Sequence, residues 1–453
     1  MPGMAQDDLS LPTRLAALWD HLGLGTAHVG AQMPGDIVDF LAAAPGRVGG
    51  IVLCSPSRLD PAPFAAAADR LLVIAGAQGQ TAELAARAEA RLPGMRWAVL
   101  AGYEAQGWSD VVADRPDAVA EAMLGLLRDR PAAPPARALA DGSHLGISYR
   151  VEGAGPALVL LPFFLAPSQW APAVPALARH FTVITLGGRH VGGVAALEDR
   201  AAAPSYRAMA GALFDLLAPR PGDRVLDIGS GSGALDRLFA ARYPAAELTA
   251  TDVNPFLLRE AAALAAEEGA RVRFQPANAE ALPFADAQFD AVFSVTVLEE
   301  CDAGRALGEI RRVLRPGGRA GVIVRAIDMP QWWNLDLPAA LRARANAPPL
   351  SVSPLGVADA SLYRRMREAG FAPVTAMPFL VTLDNPGGPI WRHREDHVLS
   401  QLDPEETATW RRLADEARAA GVLASAHAMH CAVGVKADHS GPIERADRAW
   451  ATA

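Results

Sequence analysis

Apolar residues recur at helical spacing from Leu11 to Leu22, Gly25 closes that run, and Thr26 to Val29 then reads as a strand. Further along, a helix is expected at Asp36–Ala44, strands at Gly50–Cys54 and Leu71–Ala75, a helix at Thr81–Arg91, a strand at Trp97–Ala101 and a helix at Pro116–Leu127. Strands that alternate with helices in this way predict a parallel sheet. After the proline-rich connector Pro131–Ala136, semi-rigid by composition, the pattern resumes. Gly146–Val151, Ala157–Leu161 and Phe181–Leu186 read as strands, with a helix at Trp170–Ala178.

A second block of the same kind begins with a leading helix over Leu197–Leu217. The run Val225–Ile228 stops at Gly229, Gly231 and Gly233 and enters a helical pattern from Ala234 to Arg242. Strand, glycine turn and helix in that order present backbone N–H groups to a ligand. A dinucleotide turn prefers Gly-x-Gly-x-x-Gly, and Asp227 at the strand end would repel a pyrophosphate. The same carboxylate suits a ligand carrying an ammonium and a sulfonium, which favours S-adenosylmethionine over NAD. Strands are expected again at Glu247–Thr251, Arg271–Gln275, Phe289–Val295, Val374–Leu380 and Ala428–Lys436.

The run Val225–Gly233 resembles the first motif of the class I S-adenosylmethionine-dependent methyltransferases. The likeness continues through Asp252, through Asn278-Ala279-Glu280-Ala281-Leu282-Pro283-Phe284, which is similar to the quinone-biosynthesis type, and through Leu314–Arg319 at the turn into a fifth strand. It extends from about Ser205 to about Ala437. It implies that Asp227, Gly229, Ser230, Gly231 and Gly233 cradle S-adenosyl-L-methionine, that Asp252 accepts the ribose hydroxyls with Val253 beside it, that Asn278 and Ala279 meet the adenine, and that Ser294 lies beside the cofactor. The leading helix would cover the cofactor, which brings Tyr206 toward the acceptor, and the insertion holding Trp332 and Trp333 would line the acceptor pocket. Glu299, Glu300 and His190 are the candidate catalytic groups, because a desolvated carboxylate or imidazole could take the acceptor's proton.

The first 200 residues resemble an α/β-hydrolase whose halves stand in reversed order, the second half in 1–137 and the first in 138–200. That family's nucleophile falls at Gln32, its acid near Gly76–Gly79 and its histidine in Gly102–Ala105. All three roles are vacant, so hydrolysis is not expected. An isolated half-sheet would leave an open edge, so residues 138–200 are expected to pair with 11–130. The fold expected is α/β throughout: this second parallel-sheet domain, a Rossmann-like methyltransferase sheet over 201–438, and a tail at 439–453.

Composition narrows the partners. A net charge of −8 argues against nucleic acid, and Arg311-Arg312 with Arg315, or Arg364-Arg365 with Arg367, read as solvated helix faces. The uncharged stretch 153–178 is broken by five prolines and is not a membrane span. Three cysteines without zinc spacing suit a reducing cytoplasm. His393 and His397 lack the His-Glu-x-x-His pattern, so no metal centre is expected. The function expected is methyl transfer to a small-molecule acceptor. The alternative is a binding scaffold that keeps the methyltransferase fold without its chemistry.

Overall fold

The computed structural model describes residues 9–104, 109–164, 168–348 and 352–437, and its strands form two sheets. Across the N-terminal sheet the order is Arg96–Glu104, Leu71–Gln78, Val48–Cys54, Ala27–Ala31, Ala157–Leu160, Thr182–Gly187, Ile147–Glu152 and Gly142–His144. The first six run parallel, whereas Ile147–Glu152 is antiparallel to Thr182–Gly187 and makes a hairpin with Gly142–His144. Gly30 stands opposite Leu160, so residues 11–130 and 138–200 share one sheet. Val48–Cys54 is buried at every position, as a central parallel strand covered on both faces requires. One face packs on Trp19 and Phe40, the other on Met123 and Trp170. The proline-rich connector is tacked across the joint, where Ala133 N donates to Thr26 O (2.9 Å) and Ala157 N donates to Ala133 O (2.9 Å).

In the C-terminal sheet the order is Val272–Pro276, Glu247–Asp252, Arg224–Ile228, Phe289–Val295, Leu314–Arg325, Ser425–Lys436 and Trp332–Trp333. The first five are parallel, and Ser425–Lys436 runs antiparallel beside them. From Arg224–Ile228 the chain steps outward to one side and later returns to the other. Their carboxyl ends therefore flank a switch point, the place where open α/β sheets receive ligands.

Several elements differ from the sequence expectation, each with a local cause. The leading helix is two helices, Gly192–Ala202 and Pro204–Leu217, because Ala203 precedes a proline and takes φ −57°, ψ 128°. Val374–Leu380 is two strands, Phe371–Ala376 and Phe379–Leu383, separated at Pro378, and both pair with Ser425–Lys436. Of the helix expected at Trp170–Ala178 only Val174–Leu177 is α-helical, since Pro172 and Pro175 bring no N–H to the ladder. The hairpin strand Gly142–His144 was not anticipated; Leu145 and Gly146 make its tight turn at φ 48° and 74°. Among the described residues no helix is long and apolar enough to cross a membrane.

The two sheets meet along the helix Pro389–Leu399. His393 stacks on Phe164 (5.1 Å between centroids), Arg392 pairs with Asp39 (2.7 Å), and Arg58 donates to the His393 carbonyl. Arg411 pairs with Asp60 from the next helix, Pro404–Ala419. That helix begins with an Asp403 cap, closed into a capping box by Glu406. The helix Gly192–Ala202 packs against Pro389–Leu399 and joins the sheets covalently.

Candidate active site

Gly229, Gly231 and Gly233 all take positive φ, at 82°, 56° and 75°, as a strand must to turn sharply into a helix. Each also admits a close neighbour: a Cβ on Gly229 would lie 2.1 Å from Val297, one on Gly231 3.0 Å from Leu197, and one on Gly233 3.0 Å from Ala261. Leu197 belongs to the helix Gly192–Ala202, so that helix covers the turn, and Glu198 beside it bonds Arg237 (2.5 Å). The Ser230 and Ser232 hydroxyls at the turn are buried without a protein partner.

Asp252 closes its strand with both carboxylate oxygens engaged, Oδ2 accepting from Gly231 N (2.9 Å) and Oδ1 from Asn254 N (2.8 Å). Burial outweighs these bonds and raises its pKa. Val253 beside it is a large apolar side chain left 64% exposed at the rim. Asn278 is exposed and holds its own turn by accepting from Glu280 N (2.9 Å), while Ala279 is buried in the core. Ser294 is fully buried and donates to Ile228 O (2.9 Å), which ties two strands behind the turn.

Asp227 is buried at the strand end beside the buried carboxyl of Asp236, neither of whose oxygens meets a protein donor. Burial, then the Asp236 charge, drives the Asp227 pKa well up; Asp236 is pushed to about 7, again chiefly by burial. One proton shared by the pair satisfies both. Asp236 sits in the first turn of Ala234–Arg242, where an acid is unremarkable in sequence, so only the fold shows it facing Asp227.

Glu299 is fully buried past the end of Phe289–Val295. Its Oε1 accepts from Arg325 N (2.8 Å), Oε2 has no partner, and burial raises its pKa to about 6 against the pull of Arg325. Glu300 is exposed and pairs with Arg325 (3.2 Å), and its partial desolvation raises it too. Tyr206 is buried next to Thr296 and within electrostatic reach of Glu299 and Asp227, with the Arg200 guanidinium 5.0 Å from its ring centre. Glu299, Glu300, Tyr206 and Asp227 therefore gather at the switch point.

The remaining candidates lie elsewhere. His190 packs on Gly146 in the N-terminal sheet. Trp333 is a core residue, edge-on to Trp391 and Trp410, with its indole N–H donated to Ala345 O (3.0 Å). Trp332 is 49% exposed on the outer strand. Gln32, at the position of the vacant nucleophile, is buried and accepts from Phe164 N (3.0 Å).

Residues 225–318 match the family model described as a methyltransferase domain. An uncharacterized protein of Mycobacterium tuberculosis is 45% identical over 104 residues, 23% of this chain and 37% of that protein. The demethylmenaquinone methyltransferase of Thermus thermophilus is 41% identical over 110 residues, 24% of this chain and 50% of that enzyme. The ubiquinone/menaquinone biosynthesis C-methyltransferase of Paracoccus denitrificans is 38% identical over 127 residues, 27% and 51%. The chain thus spans about a third to a half of the length of the curated relatives it matches. Among solved structures it is similar to the YcgJ protein of Bacillus subtilis, at 20% identity and TM-score 0.37 over 51% of this chain and 100% of that one. It is also similar to the geranyl diphosphate C-methyltransferase of Streptomyces coelicolor, at 18% identity and TM-score 0.33 over 51% and 76%. The segment that carries the glycine turn, Asp252 and the fourth parallel strand of this sheet is thus the part of the chain that matches the methyltransferase-domain model.

Proposed function

We propose that the protein is an S-adenosylmethionine-dependent methyltransferase acting on a small organic molecule. The observation that carries this reading is the turn at Gly229–Gly233, held open at positive φ beside Asp252, with buried serine hydroxyls that have no protein partner and an exposed Val253 at its rim. The relatives named for menaquinone and ubiquinone biosynthesis support a small organic acceptor across the segment they share.

When bound, S-adenosylmethionine supplies a methyl group made electrophilic by its sulfonium, and the acceptor's electron pair forms the new bond as the carbon–sulfur pair returns to sulfur. Asp252 would offer its remaining lone pairs to the ribose hydroxyls, Val253 would cover the adenine, and Asn278 with the Ala279 backbone would meet its edge. Asp227 would face the ammonium, and a positive charge there would draw Asp227 into its ionised form while Asp236 keeps a proton. Glu299, with an idle Oε2 and a pKa near 6, takes the acceptor's proton where the acceptor has one to lose. Leu197 and its helix exclude water from the turn.

We read the N-terminal sheet as a permuted, catalytically vacant α/β-hydrolase-like domain. Its antiparallel second strand and the Gln32 side chain committed to Phe164 N support that reading. By clamping Pro389–Leu399 it shapes the wall of the methyltransferase site.

Calorimetric titration with S-adenosylhomocysteine tests the proposal. Wild type is expected to bind at about micromolar Kd, and Asp252→Asn at least about tenfold more weakly, the worth of a hydrogen bond to a charged group. No binding by the folded wild type would overturn the assignment and favour a scaffold role.

A further inference from the structure

Between the helices Gly192–Ala202 and Pro389–Leu399 and the strand Ser425–Lys436, three cationic or donor side chains converge without acids to answer them. Arg394 Nη2 donates to His427 Nε2 (3.0 Å), and Nη1 donates to Gln331 Oε1 (3.1 Å). Because an arginine only donates, Nε2 of His427 is the acceptor, and the neutral ring carries its proton on Nδ1. Burial and the neighbouring guanidinium groups of Arg394, Arg200 and Arg325 keep that ring neutral.

The Nδ1–H that follows from this tautomer is buried and has no partner, and the same holds for Nε of Arg394 and Nε of Arg200. Among the described residues neither arginine has a carboxylate within ion-pair distance, whereas Arg325 nearby is paired with Glu299 and Glu300. Buried positive charge and buried donors left unanswered are costly, and a fold retains them where a ligand answers them. These groups border the switch point, since Arg200 lies over Tyr206, and Tyr206 lies next to Thr296 and within electrostatic reach of Glu299 and Asp227.

We propose that the methyl acceptor is a carboxylate, its oxygens bound by His427 Nδ1, Arg394 and Arg200 beside Tyr206. This rests on the methyltransferase reading above. Three donors on separate elements suit one planar two-oxygen group. Glu299, whose own charge is answered by Arg325, is left to handle a proton rather than to hold the anion. The N-terminal sheet takes part indirectly: Arg58 bonds the His393 carbonyl, one residue before Arg394, and so fixes the helix that presents the guanidinium.

The test is calorimetric titration of the full chain with benzoate and phenylacetate against benzamide and phenylacetamide, with and without saturating S-adenosylhomocysteine. At least one carboxylate is expected to bind tenfold or more tightly than its amide. Arg394→Gln should abolish the preference and Arg394→Lys retain part of it, with S-adenosylhomocysteine affinity within twofold of wild type in both. Should Arg394→Gln fail to fold, the half-buried Arg200→Gln is read in its place, with the same loss expected. Equal binding of acids and amides, a preference untouched by either variant, or no carboxylate binding would overturn the proposal, and tighter binding of phenyl phosphate would overturn the carboxylate class. Failure of S-adenosylhomocysteine to bind while the carboxylate preference persists would strike the methyltransferase reading alone.

Discussion

Asp236 faces Asp227 behind the glycine turn, carboxyl to carboxyl, in an interior that excludes water from both. The folded chain holds the Asp236 proton up to about pH 7, while the unfolded chain releases it near 3.8. The folded state therefore binds more protons across that window, and stability falls as pH rises through it. Asp236→Asn removes the Asp236 titration, leaves Asp227 an amide donor and relieves it of the neighbouring charge. Urea unfolding of both proteins at pH 5 and pH 8 should show wild type losing roughly 2 kcal/mol relative to the variant, from 1.36 kcal/mol per pH unit over most of the window. Parallel stabilities at both pH values would mean that the pair is not protonated.

Neighbours in sequence, Trp332 and Trp333 differ as sharply as two tryptophans can. Trp333 is packed edge-on between Trp391 and Trp410 and bonds Ala345 O, whereas Trp332 points outward from a two-residue edge strand. Trp333→Ala should cost about 3 kcal/mol or more in urea unfolding, and Trp332→Ala less than about 0.5 kcal/mol. S-adenosylhomocysteine affinity should be unchanged in Trp332→Ala. A comparable loss from both variants would contradict the packing described.

That pair also marks the limit of what the residue pattern discloses. The glycine turn, Asp252 and the parallel strands were legible because each needs particular residue types at fixed spacing, and the Asp403 cap was legible for the same reason. The joining of residues 27–31 to 157–160 followed from the cost of an open edge rather than from any motif. Arg200, Arg394 and His427 were not legible as a group. They come from two helices and a strand, with Arg200 far from the other two in sequence, and singly each resembles a surface charge or a core histidine. Asp236 was hidden because an acid in the first turn of a helix needs no further reason. The break at Ala203 is readable from Pro204, although helical spacing of apolar residues continues across it.

His28 sits at the joint between the two N-terminal blocks, where its Nδ1 accepts from Gly50 N (2.9 Å) and its ring meets Phe181 edge-on at 5.6 Å. Protonation would turn that acceptor into a second donor facing the amide, and burial holds the pKa down to about 4 from 6.5. The unfolded chain thus takes up its proton first as pH falls. Stability from this group is complete above pH 6.5 and is lost as pH drops toward 4. His28→Asn supplies a carbonyl oxygen to Gly50 N without a titrating ring. Between pH 7 and pH 5 wild type should lose about 2 kcal/mol relative to this variant in urea unfolding. The sign is opposite to that expected for Asp236, so the two substitutions in one chain should flatten the pH profile from both ends. A wild-type profile that His28→Asn leaves unaltered would show that the joint does not depend on a neutral imidazole.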